Sequence, residues 1–120
     1  VVIADLPCSG LGVIGTKTDI KYNASEEKIQ ELAALQQEIL QVVCRYVKPD
    51  GTLLYSTCTI TKEENAENAD WIEKNLPFEK KEIRDLLPEA LKASCEENRI
   101  QLLPGVHPCD GFFISVFRRK

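Results

Sequence analysis

The sequence predicts an α/β fold on three observations. Residues 1–6 form an apolar run without alternation, the pattern of a strand covered on both faces in a parallel sheet. From Ser25 to about Val47 the apolar residues recur at helical spacing. Thr52 to Thr57 then forms a second strand-like run. Strands alternating with helices along a chain build a layered α/β sheet.

Each element has a local cause. Pro7 to Gly15 is rich in Gly and Ser and reads as a loop. Ser25 is a plausible N-cap, followed by Glu26 and Glu27 where the helix dipole favours acids. Ile29, Leu32, Ala33, Ile39, Leu40 and Val43 make one apolar stripe on that helix. Gln36 interrupts it, either as a tolerated edge residue or to bond the backbone of the loop after the first strand. Lys48-Pro49-Asp50-Gly51 ends the helix and turns the chain. Thr61 and Glu64 have capping-box spacing, which predicts a helix from about Lys62 to Leu76, stopped by Pro77. Phe78 to Ile83 alternates as an edge-like strand would. Residues 84–104 are mixed, with a short helix around Pro88 to Cys95. Phe112 to Phe117 is the last strand, and the order is β-α-β-α-β-loop-β.

The chain has 120 residues, enough for one modest domain. Its 43% hydrophobic and 28% charged residues are those of an ordinary globular protein. No apolar run approaches the roughly 20 residues of a membrane helix, so no membrane partner is expected. The chain opens on Val1 directly into a strand, which is expected of a piece of a longer protein. A net charge of -4 argues against a general nucleic-acid binder, which must neutralise phosphates. It leaves room for a role inside a larger nucleic-acid enzyme. The five cysteines, Cys8, Cys44, Cys58, Cys95 and Cys109, are odd in number and widely spaced. That pattern favours reduced thiols in the cytoplasm.

Two of these thiols sit at the carboxyl ends of the first two strands. In an open α/β sheet those ends form the ligand crevice. Cys8 lies in Asp5-Leu6-Pro7-Cys8-Ser9-Gly10, where Pro7 fixes the backbone and the glycines permit close approach. The bland reading is a tight turn with a capping Asp5. Cys58 lies in Ser56-Thr57-Cys58-Thr59 and is either a nucleophile or a small buried residue. His107 and Cys109 could complete a zinc site with Cys8 and Cys58, but no closely spaced ligand pair supports it. His107 reads more simply as a loop residue, and Asp110-Gly111 as a turn. Cys44 is expected in the core and Cys95 at the surface. The acidic stretch from Glu63 to Glu73 reads as a solvated helix face. On residue chemistry alone the pair Cys8 and Cys58 leaves metal, disulfide and nucleophile open.

Taken together and in this order, the motifs resemble the Sun/Fmu family of RNA cytosine-5 methyltransferases. Asp5-Leu6-Pro7-Cys8-Ser9 is similar to that family's Asp-x-Pro-Cys-Ser motif, and Thr57-Cys58-Thr59 to its Thr-Cys-Ser/Thr motif. Glu63-Glu64-Asn65 and Asp110-Gly111-Phe112-Phe113 match two more of its motifs. Asp19-Ile20-Lys21-Tyr22 and Leu35-Gln36 also fit, most closely the bacterial 16S ribosomal-RNA branch. Where the family often carries Arg-Arg-x-Pro-Asp, this chain has Gly15-Thr16-Lys17-Thr18-Asp19.

The resemblance implies the C-terminal half of a Rossmann-like class I methyltransferase sheet. Residues 1–120 would supply strands in the order 4-5-7-6, with the last strand of the chain antiparallel. It implies S-adenosylmethionine as methyl donor, bound mostly outside this chain, and RNA as partner. Cys58 would attack carbon 6 of cytosine, Cys8 would assist release, and Asp5 would polarise the ring. Asp5 and Pro7 would border the methyl donor. Pro7, Ser9, Gly10, Lys17 and Lys21 would contact the substrate, and no metal is implied. The first strand becomes an exposed apolar edge able to pair with another chain. The chain alone is expected to be inactive. The alternative is a non-catalytic RNA- or protein-interaction module, with structural zinc.

Overall fold

The computed structural model describes residues 1–9, 26–103 and 111–120. Within them β1 (Val2–Asp5) pairs in parallel with β2 (Thr52–Thr57), placing Asp5 opposite Ser56. Helix α1 (Glu26–Val43) and a 3-10 turn (Cys44–Tyr46) lie between them in sequence. Next come α2 (Ala66–Asn75), β3 (Phe78–Lys80), a 3-10 turn (Arg84–Leu86) and the short α3 (Glu89–Lys92). A hairpin of β4 (Cys95–Glu96) and β5 (Arg99–Leu102) precedes β6 (Phe112–Arg119). The sheet runs β1-β2-β6-β5-β4, with β3 on the far half of β6. The expected order 4-5-7-6 is thus β1-β2-β6-β3, and β6 is antiparallel to its neighbours. The mixed sheet is that of a Rossmann-like fragment.

Alternation along β2 and β6 divides the sheet into two faces. Leu53, Tyr55, Phe113 and Phe117 point to one face, where Leu40 of α1 and Ala69 and Ile72 of α2 close a core. Tyr55 and Phe113 meet edge to face at 6.3 Å, and Phe78 and Phe117 at 6.4 Å. Of the predicted helical stripe Leu40 is buried, whereas Ile29, Leu32, Ala33, Ile39 and Val43 are half-buried, and Gln36 is buried among them. On the other face Ile83, Cys95, Ile100 and Val116 form a smaller cluster, flanked by Leu54, Leu87 and Leu91. That cover does not reach β1, where Ile3 is 67% exposed. The strand predicted to be covered on both faces is covered on one, and among the described residues β1 is the edge of the sheet.

Three further expectations need correction. Cys95 is buried, because residues 95–102 fold as a hairpin that carries it into the second cluster. Helix α2 starts at Ala66 rather than Lys62, because Glu64 and Asn65 turn their side chains inward instead of capping. Glu64 accordingly has no exposed surface and is no part of a solvated face. The described residues contain no helix long and apolar enough to cross a membrane.

Candidate active site

The parallel register of β1 and β2 brings the turns that follow both strands together. Leu6 N–H still donates to the Ser56 carbonyl at 3.4 Å, so the strands stay paired up to the turns. Beyond that point the Cys8 and Cys58 sulfurs lie 3.2 Å apart, both half-buried and both free thiols. Asp5 is exposed at the end of β1 and accepts a hydrogen bond from the Ser56 hydroxyl at 3.2 Å. Pro7 is exposed beside it.

The turn bearing Cys8 is held on both sides of the cysteine. The Pro7 carbonyl accepts from Gln36 Nε2 at 2.8 Å. The Ser9 N–H donates to Glu64 Oε1 at 2.8 Å, and the Ser9 hydroxyl to Glu64 Oε2 at 2.8 Å. Glu64 also accepts from Gln36 Nε2 at 3.2 Å and from the Thr61 hydroxyl at 2.6 Å. Every oxygen of this buried carboxylate is thus filled, as burial of such a group demands. Of the two readings of Gln36, the structure supports the bond to the loop backbone.

The turn bearing Cys58 is held by the next residue along. Asn65 accepts from the Thr57 hydroxyl and donates from Nδ2 to the Thr59 carbonyl at 2.9 Å. Its Nδ2 also reaches Gln101 Oε1 at 2.6 Å, and Gln101 bonds the Phe112 carbonyl at 3.1 Å. Ser9 and Thr59 hydroxyls share a hydrogen bond of 2.7 Å, which joins the two turns directly. Beneath both, the Tyr55 hydroxyl donates to the Glu64 carbonyl and bonds Gln36 Oε1 at 3.2 Å. Burial pushes the Tyr55 phenol well above its ordinary range, so it remains a neutral donor.

The structure therefore assembles Asp5, Pro7, Cys8, Ser9 and Cys58 at one end of the sheet. Ser9, expected at the substrate, commits its N–H and hydroxyl to Glu64 and Thr59. Gly10, Lys17, Lys21, His107, Cys109 and Asp110 lie outside the described residues. Among the described residues no group of three His, Cys, Asp or Glu side chains could hold a metal. Reading by residue chemistry missed Tyr55, Glu64, Asn65 and Gln101. The signal for Glu64 was present in the crowd of hydroxyls around it, each needing an acceptor.

Comparison with known proteins gives the chain a family. The family described as 16S rRNA methyltransferase RsmB/F matches residues 1–118. The chain is 38% identical over 120 residues to the ribosomal RNA small subunit methyltransferase F of Shigella flexneri serotype 5b (strain 8401). The match covers 98% of this chain and 25% of that protein, so the chain spans about a quarter of such relatives. A crystal structure described as that of PH0851 matches with a TM-score of 0.86 at 34% identity, over 98% of this chain and 26% of that one. The crystal structure of NSun6 from Pyrococcus horikoshii with SFG matches with a TM-score of 0.79 at 23% identity, a likeness of fold. It covers 98% of this chain and 29% of that one. From its sequence, its sheet and these matches, the chain belongs to the 16S rRNA methyltransferase RsmB/F family.

Proposed function

We propose that this chain carries the reacting groups of an enzyme that methylates carbon 5 of a cytosine in RNA, with small-subunit ribosomal RNA as the substrate class. The observation that carries the reading is the meeting of two free thiols, Cys8 and Cys58, at the carboxyl ends of paired parallel strands. The names of the family and of the relatives support methyl transfer to ribosomal RNA.

Carbon 5 of cytosine is a poor nucleophile. Addition of the Cys58 thiolate to carbon 6 makes it an enamine-like one, splitting a hard step into easier ones. S-adenosylmethionine, when bound, supplies the methyl group to carbon 5 and departs as S-adenosylhomocysteine. Cys8, as thiolate, then takes the carbon-5 proton. The electron pair of that bond restores the ring double bond, and the carbon–sulfur bond breaks to return the Cys58 thiolate. Asp5 fits a role beside the ring, since it is exposed and its carboxylate keeps acceptor capacity beyond the Ser56 bond. Asp5 and Pro7 are the residues of this chain that would border the methyl donor. The target base must leave its stack to reach the two thiols. Such reduced thiols are at home in the cytoplasm.

The test uses the full-length protein and ribosomal RNA. Cys58→Ala abolishes 5-methylcytosine formation, whereas Cys8→Ala still transfers a methyl group but holds the RNA in a complex that survives denaturing gels. Adduct from the Cys58 variant and none from the Cys8 variant reverses the roles. Methylation by both variants at the normal rate overturns the thiol mechanism.

A further inference from the structure

Glu64 and Asn65 are consecutive in the chain, yet each serves a different thiol. Glu64 takes the N–H and the hydroxyl of Ser9, the residue after Cys8. Gln36, which also bonds Glu64, holds the carbonyl of Pro7, the residue before it. Asn65 takes the hydroxyl of Thr57, the residue before Cys58, and gives a bond to the carbonyl of Thr59, the residue after it. The peptide carbonyl that joins Glu64 to Asn65 is itself fixed to the sheet by the Tyr55 hydroxyl. Both side chains are almost wholly buried, at 0% and 1% exposure, and neither faces the crevice as a reactant.

We infer that Glu64 and Asn65 are a pair of positioning residues, each acting mainly on one thiol: Glu64 places Cys8 for release, and Asn65 places Cys58 for attack. The inference rests on the thiol roles proposed above. Its physical basis is that a misplacement of about 1 Å at a reacting group can cost on the order of 10²-fold in rate. Glu64→Gln keeps the shape of the side chain but turns an amide donor toward donors from Ser9, Thr61 and Gln36. Asn65→Asp keeps the shape but replaces the donor to the Thr59 carbonyl with an acceptor. Each change disturbs one turn more than the other.

The test measures two rates in the full-length enzyme with ribosomal RNA: formation of the covalent RNA adduct, and release of 5-methylcytosine RNA from it. Glu64→Gln is expected to slow release roughly 10²-fold while adduct formation changes little, so that adduct accumulates. Asn65→Asp is expected to slow adduct formation on a similar scale, about 10²-fold, with little accumulation. Asn98→Ala serves as a control for lost stability, since Asn98 is buried at Ser115 and Val116, away from both turns. It should lower the melting temperature without changing the ratio of the two rates. If Glu64→Gln does not fold, Ser9→Ala removes the hydroxyl's bond to Glu64 together with its bond to Thr59, leaves the Ser9 N–H on Glu64, and should still slow release more than adduct formation. Equal slowing of both steps in both variants, or no shift in the ratio, overturns the inference. A wild-type enzyme that forms no covalent adduct would instead sink the thiol mechanism itself.

Discussion

A buried carboxylate survives in a protein only when its oxygens are filled, and the cost of an empty one is large. Glu64 meets that condition with donors from Ser9, Gln36 and Thr61. Tyr55 completes the arrangement from below, since its hydroxyl reaches both the Glu64 carbonyl and Gln36. Tyr55→Phe takes the hydroxyl donor from the buried Glu64 carbonyl, while Gln36 Oε1 keeps its bond from Asn68 Nδ2, and should cost about 1–3 kcal/mol in urea unfolding. The same residue carries a pH dependence. Burial raises the Tyr55 pKa in the folded state, while in the unfolded chain it ionises near its usual value of about 10. Above that pH the unfolded state binds fewer protons than the folded one, so stability falls as pH rises. Urea midpoints measured on either side of about pH 10 should show that fall, and Tyr55→Phe should flatten it. An equal fall in the variant would assign the alkaline loss to other groups. None of this was visible in the sequence, where Tyr55 is one aromatic residue in a strand. A hydroxyl that crosses from strand to turn depends on tertiary packing.

Turns decided how well the elements could be read. The strand β2 was legible with its correct ends because Lys48-Pro49-Asp50-Gly51 marks its start without ambiguity. There Asp50 adopts a left-handed backbone with φ 63, and Gly51 N–H closes the turn onto the Lys48 carbonyl at 2.8 Å. A Cβ on Gly51 would meet the Lys48 carbonyl oxygen at 2.7 Å. Gly51→Ala should therefore destabilise the chain by more than about 1 kcal/mol, read as a lower urea midpoint with an unchanged slope. An unchanged midpoint would mean that the turn relaxes freely. The hairpin of β4 and β5 was illegible for the converse reason. Its turn is Glu97-Asn98, with Glu97 at φ 49 and no glycine to announce it. What holds that turn is the buried Asn98 side chain, which bonds Ser115 and Val116. The start of α2 was misread because Thr61 and Glu64 do interact, but by a side-chain bond between them rather than a reciprocal cap.

At the scale of the molecule, the sheet does two things with one strand. β1 delivers Asp5 and Cys8 to the crevice, and its outer edge stays unpaired among the described residues. Val1 and Ile3 are 87% and 67% exposed on it. An apolar edge of that kind is a template for pairing with another strand. We therefore expect this 120-residue chain, expressed alone, to associate with itself in sedimentation velocity, and Ile3→Lys to shift it toward monomer. A sharp monomer at high concentration, without any substitution, would contradict that. The fold class and the two thiols were legible because both depend on local pattern: apolar runs, turn residues and strand ends. The turns that bring them within 3.2 Å are held by Gln36 from α1 and by Glu64 and Asn65 from the turn before α2. The most direct test of the account is to locate the RNA bond in the full-length Cys8→Ala enzyme. After reaction with ribosomal RNA, digestion and mass spectrometry should find a methylated cytidine attached to the peptide that contains Cys58. A cytidine attached to any other residue, or no attached cytidine while methylation proceeds, would contradict it.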